Sequence, residues 1–297
     1  MAYDIVVDSW NEEAKKRLDS EFGALSILNY DGSFGDFSCL IPYKDRIKKL
    51  KVSSLLPKGH VIQKLDGLQY LAVTEDKPSL DFSKFKYLEG LAVEWDKKYS
   101  IESLYDLNLI FLSIRGWPSI DCSGIGNIKT IQVLGLEGGA FRSADGLDRL
   151  INLKSVGFGP CRYLSDIDCL RRCENLEEIE LTSIPLINDV SILGDIKKLK
   201  KIEIDKIGKN CVIPDICCFY GLTVIEAINI TNVVSSVDWN IIFGLKFLKN
   251  IGLVYIGGVD NDFPALRKIA TDKGRVISWE GGLFRLGKKS RYSVTLA

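Results

Sequence analysis

Catalysis by a Ser-His-Asp or Cys-His arrangement would have to be built on His60, the single histidine of the chain. His60 follows Gly59 with no nucleophile motif beside it, which is the setting of an exposed loop histidine. Cysteine is more plentiful, with Cys161, Cys169 and Cys173 close in sequence and Cys217 next to Cys218. Zinc sites use Cys-x-x-Cys or paired His spacings, and neither occurs here. Cys122 and Cys173 instead fall on apolar positions of a periodic pattern, so these thiols read as small hydrophobes packed in a core. The stretch Gly124 to Thr130 (GIGNIKT) superficially resembles a phosphate loop, but its residues come in the wrong order and the pattern needs Ile125 and Ile128 inside. Carboxylate pairs abound without a recognisable pocket sequence around them. The residues therefore point to no catalytic group, no cofactor and no metal.

What would position any functional side chain is a repeat. From Leu164 to Ile204, apolar residues recur at Leu170, Cys173, Leu176, Ile179, Leu181 and again at Leu193, Ile196, Leu199, Ile202, Ile204, a period of 23 residues. Three steps of three followed by one of two suit neither a long helix nor a plain strand, but they suit a coil that ends in a short strand. The closing triplets run Ile47, Leu50, Val52; Leu68, Leu71, Val73; Leu88, Leu91, Val93; Leu109, Leu112, Ile114; Ile128, Ile131, Val133; and Leu153, Val156, Phe158. After the two central coils they continue with Ile225, Ile228, Ile230 and Leu248, Ile251, Leu253. Ten rungs result. Ahead of five of them, an Asp precedes an apolar residue: Asp81, Asp121, Asp166, Asp189 and Asp215. An Asp there can accept backbone N–H bonds and start a short helical turn.

The ends break the rhythm. Residues 1–45 suggest a strand around Tyr3, Ile5 and Val7, a helix over Glu12 to Leu18 and a second strand over Leu25 to Leu28, together an N-terminal cap. The array spans 46–280, with Phe263, Leu266 and Ile269 at helical spacing and a last strand over Val276 to Trp279. Residues 281–297 read as a C-terminal cap with a solvated basic tail.

This L-x-x-L-x-x-L-x-L core with its x-D-I-x-x-L approach resembles the bacterial, internalin-like class of leucine-rich repeats. The resemblance implies an α/β solenoid, with a curved parallel sheet on the concave face and short helices, 3-10 turns or loops on the convex face. One departure stands out. The asparagine usual three residues past the last strand leucine is replaced by Asp96, Trp117, Leu136, Cys161, Ile184 and Ile207, among others.

Side chains alternate along a strand, so with Leu71 and Val73 inward, Tyr70, Ala72 and Thr74 face outward. The same rule places Phe111, Arg115 and Leu134 on the early face, with Trp95 and Trp117 at its rim, residue types that anchor protein interfaces. The later face carries Glu178, Glu180, Glu203 and Asp205, suited to a basic partner. Lys plus Arg and Asp plus Glu are both 39, so overall charge calls for neither nucleic acid nor an anionic membrane. The start lacks the features of a secretory signal and no run reaches the roughly 18 apolar residues of a membrane span, so a cytoplasmic chain is expected. The function expected is protein binding, most specifically a bacterial immunity or inhibitor protein on a cognate toxin. The alternatives are an enzyme or regulatory subunit with chemistry in the N-terminal segment, and an adhesion or structural module.

Overall fold

Short polar side chains stabilise chain reversals by accepting nearby backbone N–H groups, and the recurring aspartates do this. The computed structural model describes residues 3–20, 22–29, 31–53, 61–73, 79–205, 207, 217–233, 239–256, 263–274, 277–278 and 289–296. In it the carboxylates of Asp81, Asp121, Asp166 and Asp189 accept the N–H two residues on, at 3.1, 2.9, 2.8 and 2.8 Å. Each is followed by a 3-10 turn: Phe82–Lys84, Ile125–Asn127, Asp168–Arg172 and Ser191–Asp195. Asp215, His60 and Thr74 lie outside the described residues.

The chain divides into two compact units, residues 1–118 with 127–134, and residues 119–126 with 135–297. In the first, six strands lie side by side in chain order, each parallel to the next: β1 (Ile5–Val7), β2 (Ala24–Ile27), β3 (Lys49–Val52), β4 (Tyr70–Val73), β5 (Gly90–Glu94) and β6 (Phe111–Arg115). The strand β7 (Val133–Glu137) runs across the division. In the second unit, β8 (Ser155–Phe158), β9 (Glu178–Thr182), β10 (Lys201–Asp205), β11 (Ala227–Val233) and β12 (Asn250–Ile256) are likewise parallel.

Register follows the apolar rhythm. Leu50, Leu71, Leu91 and Leu112 are matched across β3 to β6 and all are buried, as are Val52, Val73, Val93 and Ile114 one row on. Each such side chain contributes about 1.5–3 kcal/mol by leaving water, and a one-residue slip would turn the whole set outward.

The fifth rung corrects the sequence reading. Its strand keeps Leu134 and Leu136 in the core and Val133 only half-buried, so the triplet is Ile131, Leu134, Leu136. Ile125, Ile128, Ile131 and Leu134 are all three apart, so two registers fit the spacing. Hydrogen bonding decides: the N–H groups of Gln132 and Val133 both donate to Ile110 O, as those of Gln69 and Tyr70 do to Lys48 O. Gly138 and Gly139, both at positive φ, then take the turn.

The ends also add strands. The N-terminal segment contributes β1 and β2, joined by α1 (Glu12–Leu18), whose Asn11 cap accepts from Ala14 N at 2.8 Å and whose Ala14 and Leu18 are buried. Toward the other end, α2 (Trp239–Ile242) precedes β12 and α3 (Phe263–Asp272) follows it. The short β13 (Ile277–Ser278) lies within the expected last strand. Lys289–Leu296, read from its charge as a solvated tail, forms β14, antiparallel to both β12 and β13.

Three devices bind successive coils. The turns stack so closely that a Cβ on Gly126 would lie 2.1 Å from Gly146 O, which accounts for the glycine in the phosphate-loop-like stretch. Where an asparagine ladder was missing, Trp117, Cys161, Ile184 and Ile207 are buried, an apolar filling for the same edge. In the second unit, the residue just before each strand alternates in charge: Lys154, Glu177, Lys200, Glu226, Lys249. Lys200 reaches Glu177 at 2.8 Å and Lys249 reaches Glu226 at 2.6 Å, and backbone bonds join each residue of the row to the next.

Candidate functional site

The strand face of the first unit is built from register. Tyr70, Gly90 and Phe111 occupy one row across β4, β5 and β6. The absent side chain at Gly90 makes room for Tyr70, whose Cδ2 would lie 2.4 Å from a Cβ there. The Tyr70 and Phe111 rings meet with centroids 5.9 Å apart and tilted by 42°, a favourable aromatic arrangement. Lys49 continues the row on β3, and the next row is small, with Ala72, Ala92 and Ser113 beside Lys51. Both Tyr70 and Phe111 are half-buried, whereas Arg115 is exposed opposite Glu94.

Burial raises the Tyr70 hydroxyl above its ordinary range. It also pushes Tyr3 up to about 12, with the nearby Tyr70 adding to the shift. Tyr3 therefore lies near enough to Tyr70 to feel its charge. Asp4 is held below the usual carboxylate range by the N–H groups of Gly23 and Ala24, each 2.9 Å from Oδ2, and by Lys49 nearby.

Three expected contact residues, Trp95, Trp117 and Leu134, are not on the surface. Trp95 is 5% exposed and Trp117 3%. Trp95 follows the end of β5, its backbone N–H donates to Arg115 O at 2.7 Å, and its parity with Leu91 and Val93 turns the side chain inward. Its ring packs against Trp117, Tyr99 and Phe82 at centroid distances of 5.2, 5.6 and 6.5 Å. Leu134 is buried as well, because its strand is shifted by three residues from the expected register. Val133, Gly135 and Glu137 take the half-exposed positions instead.

The structure brings the four acidic candidates together. Glu180 on β9 and Glu203 on β10 are direct partners in register; Glu178 stands opposite Lys201, and Asp205 opposite Thr182. Glu178 and Glu180 are exposed, Glu203 and Asp205 half-exposed. Lys201 is the one cation among these outward positions of β9 and β10, with Nζ 3.2 Å from Glu203 Oε2. Thr182 Oγ1 donates to Glu180 Oε1 at 3.3 Å. Like charges placed directly across a strand pair are destabilising by a few tenths of a kcal/mol, so the local field is negative at a cost to the fold.

The thiols behave as core. Burial drives Cys122 well up and lifts Cys161, Cys169 and Cys173 to about 12. The sulfurs of Cys169 and Cys161 bond to backbone oxygens, Ala144 O at 3.0 Å and Leu136 O at 3.6 Å. A metal needs thiolates, which this setting disfavours. Among the described residues no group of three or more His, Cys, Asp or Glu could hold a metal ion, and no helix is long and apolar enough to cross a membrane.

No family model matches the sequence, and no curated protein matches it significantly. Solved structures do match. Internalin C2 of Listeria monocytogenes is 21% identical, with a TM-score of 0.50 over 65% of this chain and 84% of that one. An internalin (inlF) of the same organism is 15% identical, with a TM-score of 0.49 over 76% and 71% of the two chains. A leucine-rich-repeat protein of Leptospira interrogans is 14% identical, with a TM-score of 0.45 over 83% and 75%. Parallel strands in register, each approached through a short turn, and the likeness to internalin C2 together make this a leucine-rich-repeat solenoid fold.

Proposed function

We propose that this chain is a non-catalytic binding protein that holds another protein against the outward face of its parallel strands. The more specific reading is an immunity or inhibitor protein that neutralises a basic toxin domain. The observation that carries it is the in-register facing of Glu180 and Glu203, flanked by Glu178 and Asp205 and countered by Lys201. A surface that retains this repulsion suits a cationic partner, which relieves it on binding and is steered to it during approach. In the first unit, Tyr70 and Phe111 offer a preformed aromatic contact beside a row of small residues, with Arg115 at the far end of its strand. Residues 1–45 close the array's first end in this reading. Buried unpaired thiols at Cys122, Cys161, Cys169 and Cys173 support a reducing compartment, the cytoplasm.

The test is affinity capture from source-cell lysate with the wild-type chain and with Glu180→Lys combined with Glu203→Lys. A basic protein retained by the wild type and lost by the variant supports the reading. Retention unchanged by both reversals sinks it.

A further inference from the structure

On the turn side of the first unit, away from the strand face, a groove of about 640 Å³ lies along two successive 3-10 turns, Ile62–Lys64 and Phe82–Lys84. We propose that this groove docks an acidic, aromatic-bearing segment of a partner protein.

Repetition brings the lysines together. Lys64 and Lys84 close successive turns at equivalent positions, two residues before Asp66 and Lys86 in turn. Lys64, Lys84 and Lys86 therefore line one groove against a single lining carboxylate, Asp66. That carboxylate is shared with Lys44, 4.0 Å away. Lys84 lies 3.8 Å from Asp81, an exposed pair worth little. Lys64 and Lys86 make no salt bridge among the described residues, and Lys64 lies near enough to Asp36 to help hold that carboxyl below its usual range. Among its described lining residues the groove carries three lysines to one carboxylate, in a chain whose net charge is zero.

An apolar anchor completes the site. Tyr87 lines the groove at 67% exposure, held there because its neighbours Phe85 and Leu88 are committed to the core. Tyrosine on a rigid support is a recurrent anchor at protein interfaces. Gln63 Nε2 donates to Asp81 O at 3.3 Å and ties one turn to the next. The volume lies in the range of ligand sites, about 300–1,000 Å³, and admits a short extended peptide.

The chemistry favours carboxylates over a phosphate backbone. Lysines are point charges that pair with single carboxylates, and no arginine fork lines the groove to bracket a phosphate. Asp66 would oppose a continuous polyanion, and a lone ring gives no ladder on which bases could stack. The segment expected has glutamates or aspartates flanking an aromatic residue that lies on Tyr87.

The test uses the full chain and fluorescence anisotropy of a fluorescein-labelled peptide of glutamates around a central phenylalanine. Saturable binding that weakens with salt is expected. It should fall by about tenfold or more in Lys64→Glu with Lys86→Glu, and by about threefold in Tyr87→Ala. Lys268→Glu with Lys273→Glu, exposed on and just after α3, should leave it unchanged. If the charge reversals fail to fold by circular dichroism, Lys64→Gln with Lys86→Gln replaces them. No saturable binding by the wild type, an equal loss in the α3 variant, or tighter binding of an oligothymidylate through the same lysines would each overturn the proposal.

Discussion

Replacing Trp95 with alanine separates a core role from a contact role more sharply than any other single change. The indole is 5% exposed and its ring meets those of Phe82, Tyr99 and Trp117. A buried indole removes about 200 Å² from water, which at about 25 cal/mol per Å² is about 5 kcal/mol of transfer free energy. Alanine keeps part of this, while the cavity and the lost ring pairs add to the cost. The expected loss is about 4 kcal/mol, within the usual range for such truncations. For a cooperative unit of this size, that lowers the midpoint of thermal unfolding by roughly 10–15 °C. Urea and thermal unfolding followed by far-UV circular dichroism measure it, and Trp95→Phe should recover roughly half. Partner binding, measured well below the variant's midpoint, should stay near the wild-type value. Stability within 1 kcal/mol of wild type together with lost binding would refute the placement of Trp95 in the core.

Four further outcomes follow from the geometry. Glu180→Thr removes one half of a like-charge cross-strand pair, so it should raise stability by about 0.3 kcal/mol while weakening the partner; a urea midpoint that falls would count against the facing of Glu180 and Glu203. Gly126→Ala places a methyl 2.1 Å from Gly146 O and should cost about 2 kcal/mol or more, and a neutral effect in urea titration would contradict the close stacking of turns. Cys161, Cys169 and Cys173, lifted to about 12, should resist a disulfide reagent at pH 8 until the chain is denatured; their folded values exceed the ordinary one, so their contribution is intact below about pH 9 and is lost as pH rises toward 12, and rapid native labelling would exclude this. Asp4 is held below its ordinary value, so its stabilisation is present above about pH 4 and is lost as pH falls through the lower folded value. The urea midpoints of wild type and Asp4→Asn should therefore converge in acid, and a gap that stays constant would refute the Gly23 and Ala24 hydrogen bonds as its source.

The fold was legible because the repeat is redundant: a rhythm restated in successive coils leaves little freedom in which residues face inward. It misled where the rhythm was itself ambiguous. Four residues three apart, from Ile125 to Leu134, admit two registers, and only the hydrogen bonds to Ile110 O and the glycines after Glu137 choose between them. Trp95 could have been placed correctly, since it shares parity with Leu91 and Val93; the general tendency of tryptophan to sit at interfaces outweighed that local signal. The acidic quartet was readable because β9 and β10 obey strict alternation. Its partial neutralisation by Lys201 was not, because rotamers decide whether a side chain reaches along its own strand or across to the next. The turn-side lysine groove needs the spacing between coils as well as the residues within them.

The row that alternates from Lys154 through Glu177, Lys200 and Glu226 to Lys249 constrains how such a chain can change in length. Insert or delete a single coil inside it and two lysines or two glutamates become neighbours, an attraction exchanged for a repulsion at the seam. Insert or delete two, and every sign is restored. Parity, rather than length, is what this edge of the molecule counts, so duplicates of this stretch should be viable in even numbers and strained in odd ones.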